Sequence, residues 1–145
     1  MSDEKDQPFP DHGHLLDILA RADAARLTAL AERLLPGLGE IEVIQSRTGL
    51  VMLPMRDTVQ GTDFHLGEVL VAEAHIRAGG HDGYGMVIGR DLTRAMAMAV
   101  VDAAAACAAL PEIVALVREE RAAQAAADTA RLREIEATRV DMETF

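Results

Sequence analysis

Charged and imidazole side chains alternate along one predicted strand, where they could support acid–base chemistry. Glu73, His75 and Arg77 occupy every second position and therefore share one face of that strand. A carboxylate or imidazole beside a guanidinium can move a proton next to a bound phosphate. The same row is also typical of a half-exposed polar sheet face. Both interpretations stay open at this point.

A second candidate for phosphate chemistry is the segment Gly89-Arg90-Asp91, which precedes a predicted helix. Backbone N–H groups at a helix start, together with an arginine, can bind a phosphate. Asp91 would compete for the same N–H groups if it caps the helix. The alternative is therefore a strand-to-helix turn held by a salt bridge. A self-sufficient enzyme would need Glu73, His75 and Arg90 to converge around a phosphate-bearing substrate.

Other catalytic signatures are weak. The glycines between Gly83 and Gly89 lie inside a predicted strand and lack dinucleotide-binding spacing, so we expect them to allow close packing. His65 and His75 are ten residues apart on one strand, over about 30 Å, which is too far to share a metal ion. Neither serine lies in a Gly-x-Ser-x-Gly motif. Cys107 lies on an apolar helix stripe and is predicted to be buried and inert.

Composition limits the class of protein further. The chain has 145 residues, 50% of them hydrophobic but 3% aromatic, with a net charge of −10 and one cysteine. Seventeen of its 26 alanines lie between Ala95 and Ala137. These values predict one globular domain without an intramolecular disulfide framework and without a multi-cysteine zinc or iron–sulfur site built by one chain alone. The acidic balance disfavours nucleic acid as a partner. Without a signal peptide or membrane span, we expect a cytoplasmic protein.

Hydrophobic periodicity predicts an α+β domain with an N-terminal helical hairpin, an antiparallel sheet of about four strands and two C-terminal helices. Ser46 to Gly49 is predicted to be a turn between two strands, the second covered on both faces. Gly67 suggests a bulge, and Pro54 suggests an edge position or a bulge. Gly79 to Gly83 predicts a hairpin loop.

The chain is predicted to contain three regions. Residues 1–12 have no apolar period and are interpreted as a flexible tail, and residues 13–110 form the α+β domain. Residues 111–145 form a helical arm with an apolar C-terminal docking segment. Because apolar residues thin out along the last helix, we expect it to project from the body or to lie against another chain.

Five segments in register resemble the G subunit of bacterial carbon–phosphorus lyase from about Leu15 to the last residue. They are Glu42-Val43-Ile44, Thr48-Gly49-Leu50-Val51-Met52, Phe64-x-Leu66-Gly67-Glu68-Val69-x-Val71, Gly83-Tyr84-Gly85-Met86-Val87-Ile88-Gly89-Arg90-Asp91 and Ala137-Thr138-Arg139-Val140-Asp141. The sequence departs from the family at Met52 to Arg56, where an extra arginine is common, and after Asp141, where aromatic residues are common.

The resemblance implies a non-catalytic accessory subunit in organic phosphonate catabolism. Its partners would be the H, I and J subunits and the ATP-binding-cassette-type L and K subunits of the complex. The complex would join methylphosphonate to the ribose C1′ of MgATP and release adenine, as an α-D-ribose 1-methylphosphonate 5-triphosphate synthase. This chain alone would bind no cofactor and would be inactive.

Six residues in or beside the matched segments are candidates for an interface or for a place near the phosphate. They are Arg47, Thr48, Gly49, Arg90, Arg139 and Asp141. Two other hypotheses remain open: the self-sufficient phosphate-ligand enzyme described above, and a homodimeric interaction protein that uses Glu112 to Phe145. The enzyme hypothesis requires Glu73, His75 and Arg90 to converge. The homodimer hypothesis requires the purified chain to self-associate.

Overall fold

The computed structural model describes residues 9–56 and 63–143, with the backbone alone for 53–56, 63–66 and 140–143. Along the described chain, two helices precede a three-stranded antiparallel sheet and two helices follow it. This is an α+β fold, as predicted. The elements are α1 His12–Arg21, α2 Ala24–Leu38, β1 Ile41–Arg56, β2 Asp63–Ala78, β3 His81–Ile88, α3 Leu92–Cys107 and α4 Pro111–Glu143. The first eight residues of the predicted tail lie outside the described ranges, and His12 begins α1.

The two N-terminal helices follow the predicted apolar stripes. In α1 these are Leu15, Ile18 and Leu19, all buried. Asp23 caps α2, because its carboxylate accepts a 3.0 Å hydrogen bond from the Arg26 N–H. Pro36 does not end α2, which continues to Leu38 before Gly39 takes a positive φ of 71°. A proline in the last turn removes only one helical hydrogen bond.

The predicted turn between Ser46 and Gly49 is wrong, because β1 is one continuous strand. Arg47 pairs with Glu73 of β2, and Gly49 pairs with Val71. The register shift lies nearby, between Val43 and Gln45. Polar and small residues tolerate a strand conformation when an uninterrupted partner strand supplies the hydrogen bonds. The described sheet therefore has three strands instead of about four.

A second register shift confirms the predicted bulge beside Gly67. Leu53 pairs with Gly67 and Pro54 pairs with His65, so that β2 carries one extra residue, Leu66. Pro54 lies on an edge strand at this irregularity, also as predicted. The absence of an N–H group from proline is tolerated there.

The first two strands continue beyond the end of the third. The last residue of β3, Ile88, pairs with Val71, so residues 50–56 and 63–70 form a two-stranded ribbon without a third strand. Within this ribbon Leu50, Val51 and Met52 are 63%, 44% and 52% exposed. The prediction that this apolar strand is covered on both faces is therefore wrong for the isolated chain.

The hairpin between β2 and β3 is tighter than predicted. Gly79 and Gly80 have φ values of 58° and 79°, and His81 already pairs with Ala78. Two positive φ values in a two-residue connection match a type I′ turn, whose twist fits the flanking strands. The remaining predicted loop residues, His81 to Gly83, belong to β3.

Helix α3 packs directly on β3, and the glycines of that strand make this possible. A Cβ atom on Gly85 would lie 1.9 Å from the Ala95 carbonyl oxygen, and one on Gly83 would lie 2.2 Å from that of Ala99. Nine of the residues between Ala95 and Ala104 are buried in this layer. The prediction that the glycine run serves close packing is confirmed.

The end of α3 differs from prediction. Cys107 is the last residue of α3 and is exposed, as is Leu110 three residues later. The prediction of a buried cysteine is therefore wrong. Its last turn lies beside the hairpin turn between β2 and β3, where a Cβ atom on Gly79 would be 3.3 Å from Cys107 Sγ.

Helix α4 packs on the body with its first half. Pro111 is its first residue, as predicted, and Ile113, Leu116 and Val117 are buried. Beyond the body, side chains 129–139 are all exposed. We call residues 129–143 the distal arm; at about 1.5 Å per residue it is about 22 Å long.

None of the described helices, including the 33-residue α4, is long and apolar enough to cross a membrane.

The close contact between α3 and β3 predicts a sharp difference between two glycine substitutions. Gly85→Ala should lower the free energy of unfolding by about 2–3 kcal/mol or more, because the methyl group overlaps the helix backbone. Gly49→Ala is the matched strand control, since a methyl group added there would have no other atom within 4 Å, and should change stability by less than about 1 kcal/mol. Urea denaturation followed by circular dichroism measures both, and equal destabilisation would contradict the packing.

Candidate functional site

The polar row on β2 forms ion pairs within the sheet. Glu73 accepts a 3.2 Å hydrogen bond from Arg47 Nε on β1, and Arg77 Nε donates to Asp82 on β3 over 3.1 Å. His75 lies 3.4 Å from the same Asp82 carboxylate and stacks on Tyr84, with ring centroids 4.3 Å apart. The hydrogen bond from Arg77 holds the pKa of Asp82 below its usual value, and His75 adds to this effect.

These pairs favour the polar-face interpretation over acid–base chemistry. The groups that could move a proton are already paired with neighbours on adjacent strands. His75 pairs with Tyr84, and Ile88 lies four residues further along β3, about 13 Å at 3.3 Å per residue. Arg90 lies beyond Ile88. Glu73, His75 and Arg90 therefore do not converge, and the self-sufficient enzyme loses its geometric basis.

The candidates on β1 lie in mid-strand. Arg47 extends from the outer face of the sheet and is 61% exposed at its side chain, with Glu73 as its ion partner. Thr48 pairs with Ala72, so it lies on the opposite, inner face of the sheet. Gly49 again lies on the outer face. Because alternate residues of a strand point to opposite faces, these three do not form one binding surface.

At the start of α3, the helix N-terminus is occupied by a side chain of the protein. Asp91 Oδ1 accepts a 2.9 Å hydrogen bond from the Arg94 N–H, which confirms Asp91 as the cap. The neighbouring Arg90 is exposed, and its carbonyl accepts the Leu92 N–H. A phosphate at this point would meet the Asp91 carboxylate, so the turn interpretation is the better fit.

The last two candidates, Arg139 and Asp141, belong to the distal arm. Arg139 is exposed, and only the backbone of Asp141 is described. Arg139 lies eleven residues, or about 16 Å along the helix, beyond Asp128, which pairs with Arg21 of α1. The six candidates thus occupy three separate places in the structure.

Sequence reasoning missed the partner of the buried carboxylate. Asp102 is 2% exposed and is the charged residue that the described part of the chain buries. Its Oδ2 accepts a 3.0 Å hydrogen bond from the Tyr84 N–H, and its Oδ1 lies 2.8 Å from His12 Nε2. An acidic residue within an apolar helix stripe signalled a partner, but nothing in the sequence pointed to His12, ninety residues away.

A second missed residue is Arg94, which connects α3 to the N-terminal helices. One of its terminal nitrogens donates to the carbonyl oxygens of Ala20 and Ala22, both over 2.9 Å. These acceptors belong to the end of α1, where carbonyl groups lack helical partners. The Arg94 Nε is buried and has no hydrogen-bond partner among the described residues.

Metal ligands do not cluster in the described part of the chain. No group of three or more histidine, cysteine, aspartate or glutamate residues in those ranges has the geometry to hold a metal ion. The described side chains therefore provide structural ion pairs and exposed apolar surface, but no converging set of nucleophile, base and cation.

A comparison with protein families shows which family the chain belongs to. The family model of the phosphonate metabolism protein PhnG matches residues 12–145, which is nearly the whole chain. The chain belongs to the PhnG family. It is also 35% identical, over 131 residues, to the alpha-D-ribose 1-methylphosphonate 5-triphosphate synthase subunit PhnG of Rhizobium meliloti (strain 1021). The alignment covers 88% of this chain and 83% of that relative, so the resemblance found in five motifs is confirmed over most of the sequence.

The buried contact of Asp102 generates a ranking of three variants. Asp102→Ala should lower the free energy of unfolding by about 2–4 kcal/mol, because it leaves the Tyr84 N–H without an acceptor inside the protein. Asp102→Asn keeps an acceptor and should cost less. His12→Ala should cost within about 1 kcal/mol, since the His12 side chain is 59% exposed. Urea melts of the three chains give the order, and a larger effect at His12 than at Asp102 would contradict it.

Proposed function

We propose that this chain is an accessory subunit of an α-D-ribose 1-methylphosphonate 5-triphosphate synthase, within the carbon–phosphorus lyase system of phosphonate catabolism. Its role is to hold catalytic partner subunits together, without supplying a catalytic residue. The observation that carries the proposal is the distal arm: an exposed helical extension of a PhnG-family chain that bears large apolar side chains. The relative in Rhizobium meliloti is named as a subunit of this synthase.

Contacts with α1 hold helix α4 just before the distal arm, and the side chains of the arm that follow are exposed. Arg21 pairs with Asp128 over 2.9 Å, and Gln124 donates to the Ile18 carbonyl over 3.0 Å. The hydrogen bond from Arg21 lowers the pKa of Asp128, so this ion pair persists to a lower pH than an isolated aspartate would allow. Beyond it, Leu132 and Ile135 are 62% and 57% exposed and lie three residues apart on one helix face. An anchored helix with an exposed apolar face suits docking against a partner chain.

The ribbon provides a second uncovered apolar surface. Leu50, Val51 and Met52 expose large side chains on both of its faces, and a two-stranded ribbon is marginally stable by itself in water. Contact with other subunits would cover these side chains and stabilise the ribbon. The partners proposed for this contact are the H, I and J subunits, with the ATP-binding-cassette-type L and K subunits joining the same complex in the cytoplasm.

In the proposed reaction a phosphonate oxygen attacks the ribose C1′ of MgATP, the bond from C1′ to adenine breaks, and adenine leaves. The oxocarbenium-like centre that develops at C1′ needs nearby negative charge and exclusion of water. The ion pairs of the described sheet, such as Arg47 with Glu73, lie on its exposed face, where water is not excluded. A net charge of −10 would also repel the triphosphate and the phosphonate. Both points support binding of MgATP and methylphosphonate on the partner subunits.

The alternative hypothesis, a homodimer, uses the same arm. The oligomeric state of the purified chain distinguishes the homodimer from the accessory subunit. A purified full-length chain that sediments as a monomer, and that is recovered with tagged partner subunits from phosphate-starved cells, fits the accessory subunit. A stable dimer that does not associate with those subunits fits the alternative instead.

The arm predicts a specific loss of assembly. Glutamate at both Leu132 and Ile135 should lower recovery of this chain with tagged partner subunits by about tenfold or more, because two charges would be buried in the contact. The matched control places glutamate at Ala126 and Ala130, which are exposed on the opposite side of α4, and should leave recovery unchanged. Adenine release that depends on methylphosphonate should fall together with assembly.

Two outcomes would contradict the proposal. If the wild-type chain does not associate with the synthase subunits, it is not an accessory subunit. If the isolated wild-type chain itself releases adenine from ATP and methylphosphonate, the chain is catalytic and the accessory role is wrong.

A further inference from the structure

A groove of about 780 Å³ runs between α1 and the outer edge of β3. Five consecutive residues of β3, Tyr84 to Ile88, line one side, and α1 lines the other. A run of consecutive strand residues means that the groove follows the backbone edge of β3, because only one in two side chains would reach a surface on either face. Its floor and ends include Val71, Glu73, Met98 and Arg94.

The register shows which backbone groups of β3 face this groove. Gly89 N donates to Leu70 O over 2.8 Å, so this pair and every second pair along the ladder are hydrogen-bonded to each other. In the intervening pairs the N–H and C=O groups of β3 point away from β2. These belong to Tyr84, Met86 and Ile88. The Tyr84 N–H confirms the direction, because it donates to Asp102 instead of to β2.

Met86 and Ile88 are therefore the open positions of this edge. Within the described residues, no hydrogen bond engages the N–H of either. Their spacing of two residues, about 7 Å, is the repeat with which an added β-strand forms its hydrogen bonds. A helix has no free backbone groups along its length to satisfy such an edge, so the geometry selects an extended segment.

Arg94 adds a charge requirement at the same groove. Its Nε is buried without a partner, and its side-chain hydrogen bonds go to two carbonyl oxygens. Among the described residues it forms no ion pair, whereas two other charged residues of the groove, Arg21 and Glu73, pair with Asp128 and Arg47. Asp17 lies on the α1 wall. A half-buried guanidinium that has no ion pair among the described residues is complementary to a carboxylate.

We propose that this groove binds an extended segment of a partner subunit, which adds a strand to β3 at Met86 and Ile88 and places a carboxylate on Arg94. This inference rests on the proposed function, because the segment is assigned to another subunit of the synthase. Alternate apolar side chains of the segment would contact Leu16 and Met98 in the groove. The acidic N-terminal residues 1–8 of this chain fit the apolar lining poorly and are an alternative that the test resolves.

Removal of one edge N–H group tests strand addition directly. Met86→Pro deletes the donor at a strand edge, where proline is tolerated, and Met86→Ala keeps the donor while shortening the 43%-exposed side chain. With tagged partner subunits, recovery of Met86→Pro should fall by about tenfold, and recovery of Met86→Ala should stay near the wild-type level. Thermal melts of both isolated chains establish that each is folded.

Hydrogen exchange tests the same contact in the wild-type complex, without any substitution. Exchange in the peptide covering residues 84–88 should be slower by about tenfold or more in the complex than in the isolated chain. Unchanged exchange there would overturn the groove proposal, even if Met86→Pro failed to fold. A chain lacking residues 1–8 should keep this difference; if slow exchange already exists in the isolated chain and is lost on deletion, the occupant is the chain's own N-terminus.

The carboxylate on Arg94 has its own readout. Arg94→Gln removes the positive charge but keeps a side-chain N–H donor, and should lower recovery while reducing its dependence on ionic strength. Equal recovery and equal salt dependence would remove the carboxylate from the proposal. Failure of the wild-type chain to associate with any synthase subunit would instead contradict the proposed function. Association of the wild-type chain with unchanged recovery of Met86→Pro would overturn the groove alone.

Discussion

The direct contact of α3 with β3 is the constraint on which the rest of the structure depends. Helix and strand can approach this closely because Gly83 and Gly85 have no side chain where the carbonyl groups of Ala99 and Ala95 lie. The close approach brings Asp102 within reach of the Tyr84 N–H on β3 and of His12 at the start of α1. One buried carboxylate thereby fixes three elements relative to one another.

The N-terminal end of α3 also fixes the position of the helices α1 and α2. Arg94 lies in the first turn of α3 and donates to the carbonyl groups at Ala20 and Ala22, where α1 gives way to α2. Asp102 and Arg94 therefore hold α1 beside β3 from two points eight residues apart, about 12 Å along α3. Held in this way, α1 lies alongside the edge of β3 without covering it. The groove is a consequence of these two contacts.

Local patterns predicted most of the fold, and the errors have a common physical cause. Caps such as Asp23 and Asp91 and the bulge beside Gly67 follow from short-range chemistry, which is visible in neighbouring residues. The supposed turn at Ser46 to Gly49 failed because a long partner strand overrides local turn preference. The supposed burial of Cys107 failed because periodicity shows which helix face is apolar, but not how far the underlying sheet extends. The same limit applies to the candidate site. Alternation in the sequence predicted the polar row on β2, but only the strand register shows that Glu73 of this row meets Arg47.

The alanine-rich composition connects this packing to assembly. Alanine allows α3 and β3 to approach closely, but each buried alanine removes little apolar area from water. The larger apolar side chains of Leu50, Met52 and Leu132 are meanwhile exposed on the ribbon and the arm. Because small residues fill the layer between α3 and β3 while these large side chains stay outside, part of the hydrophobic stabilisation open to this chain comes only when another surface covers them. Such an arrangement favours a subunit whose stability increases on assembly, because burial against partners adds the apolar area that its own interior lacks.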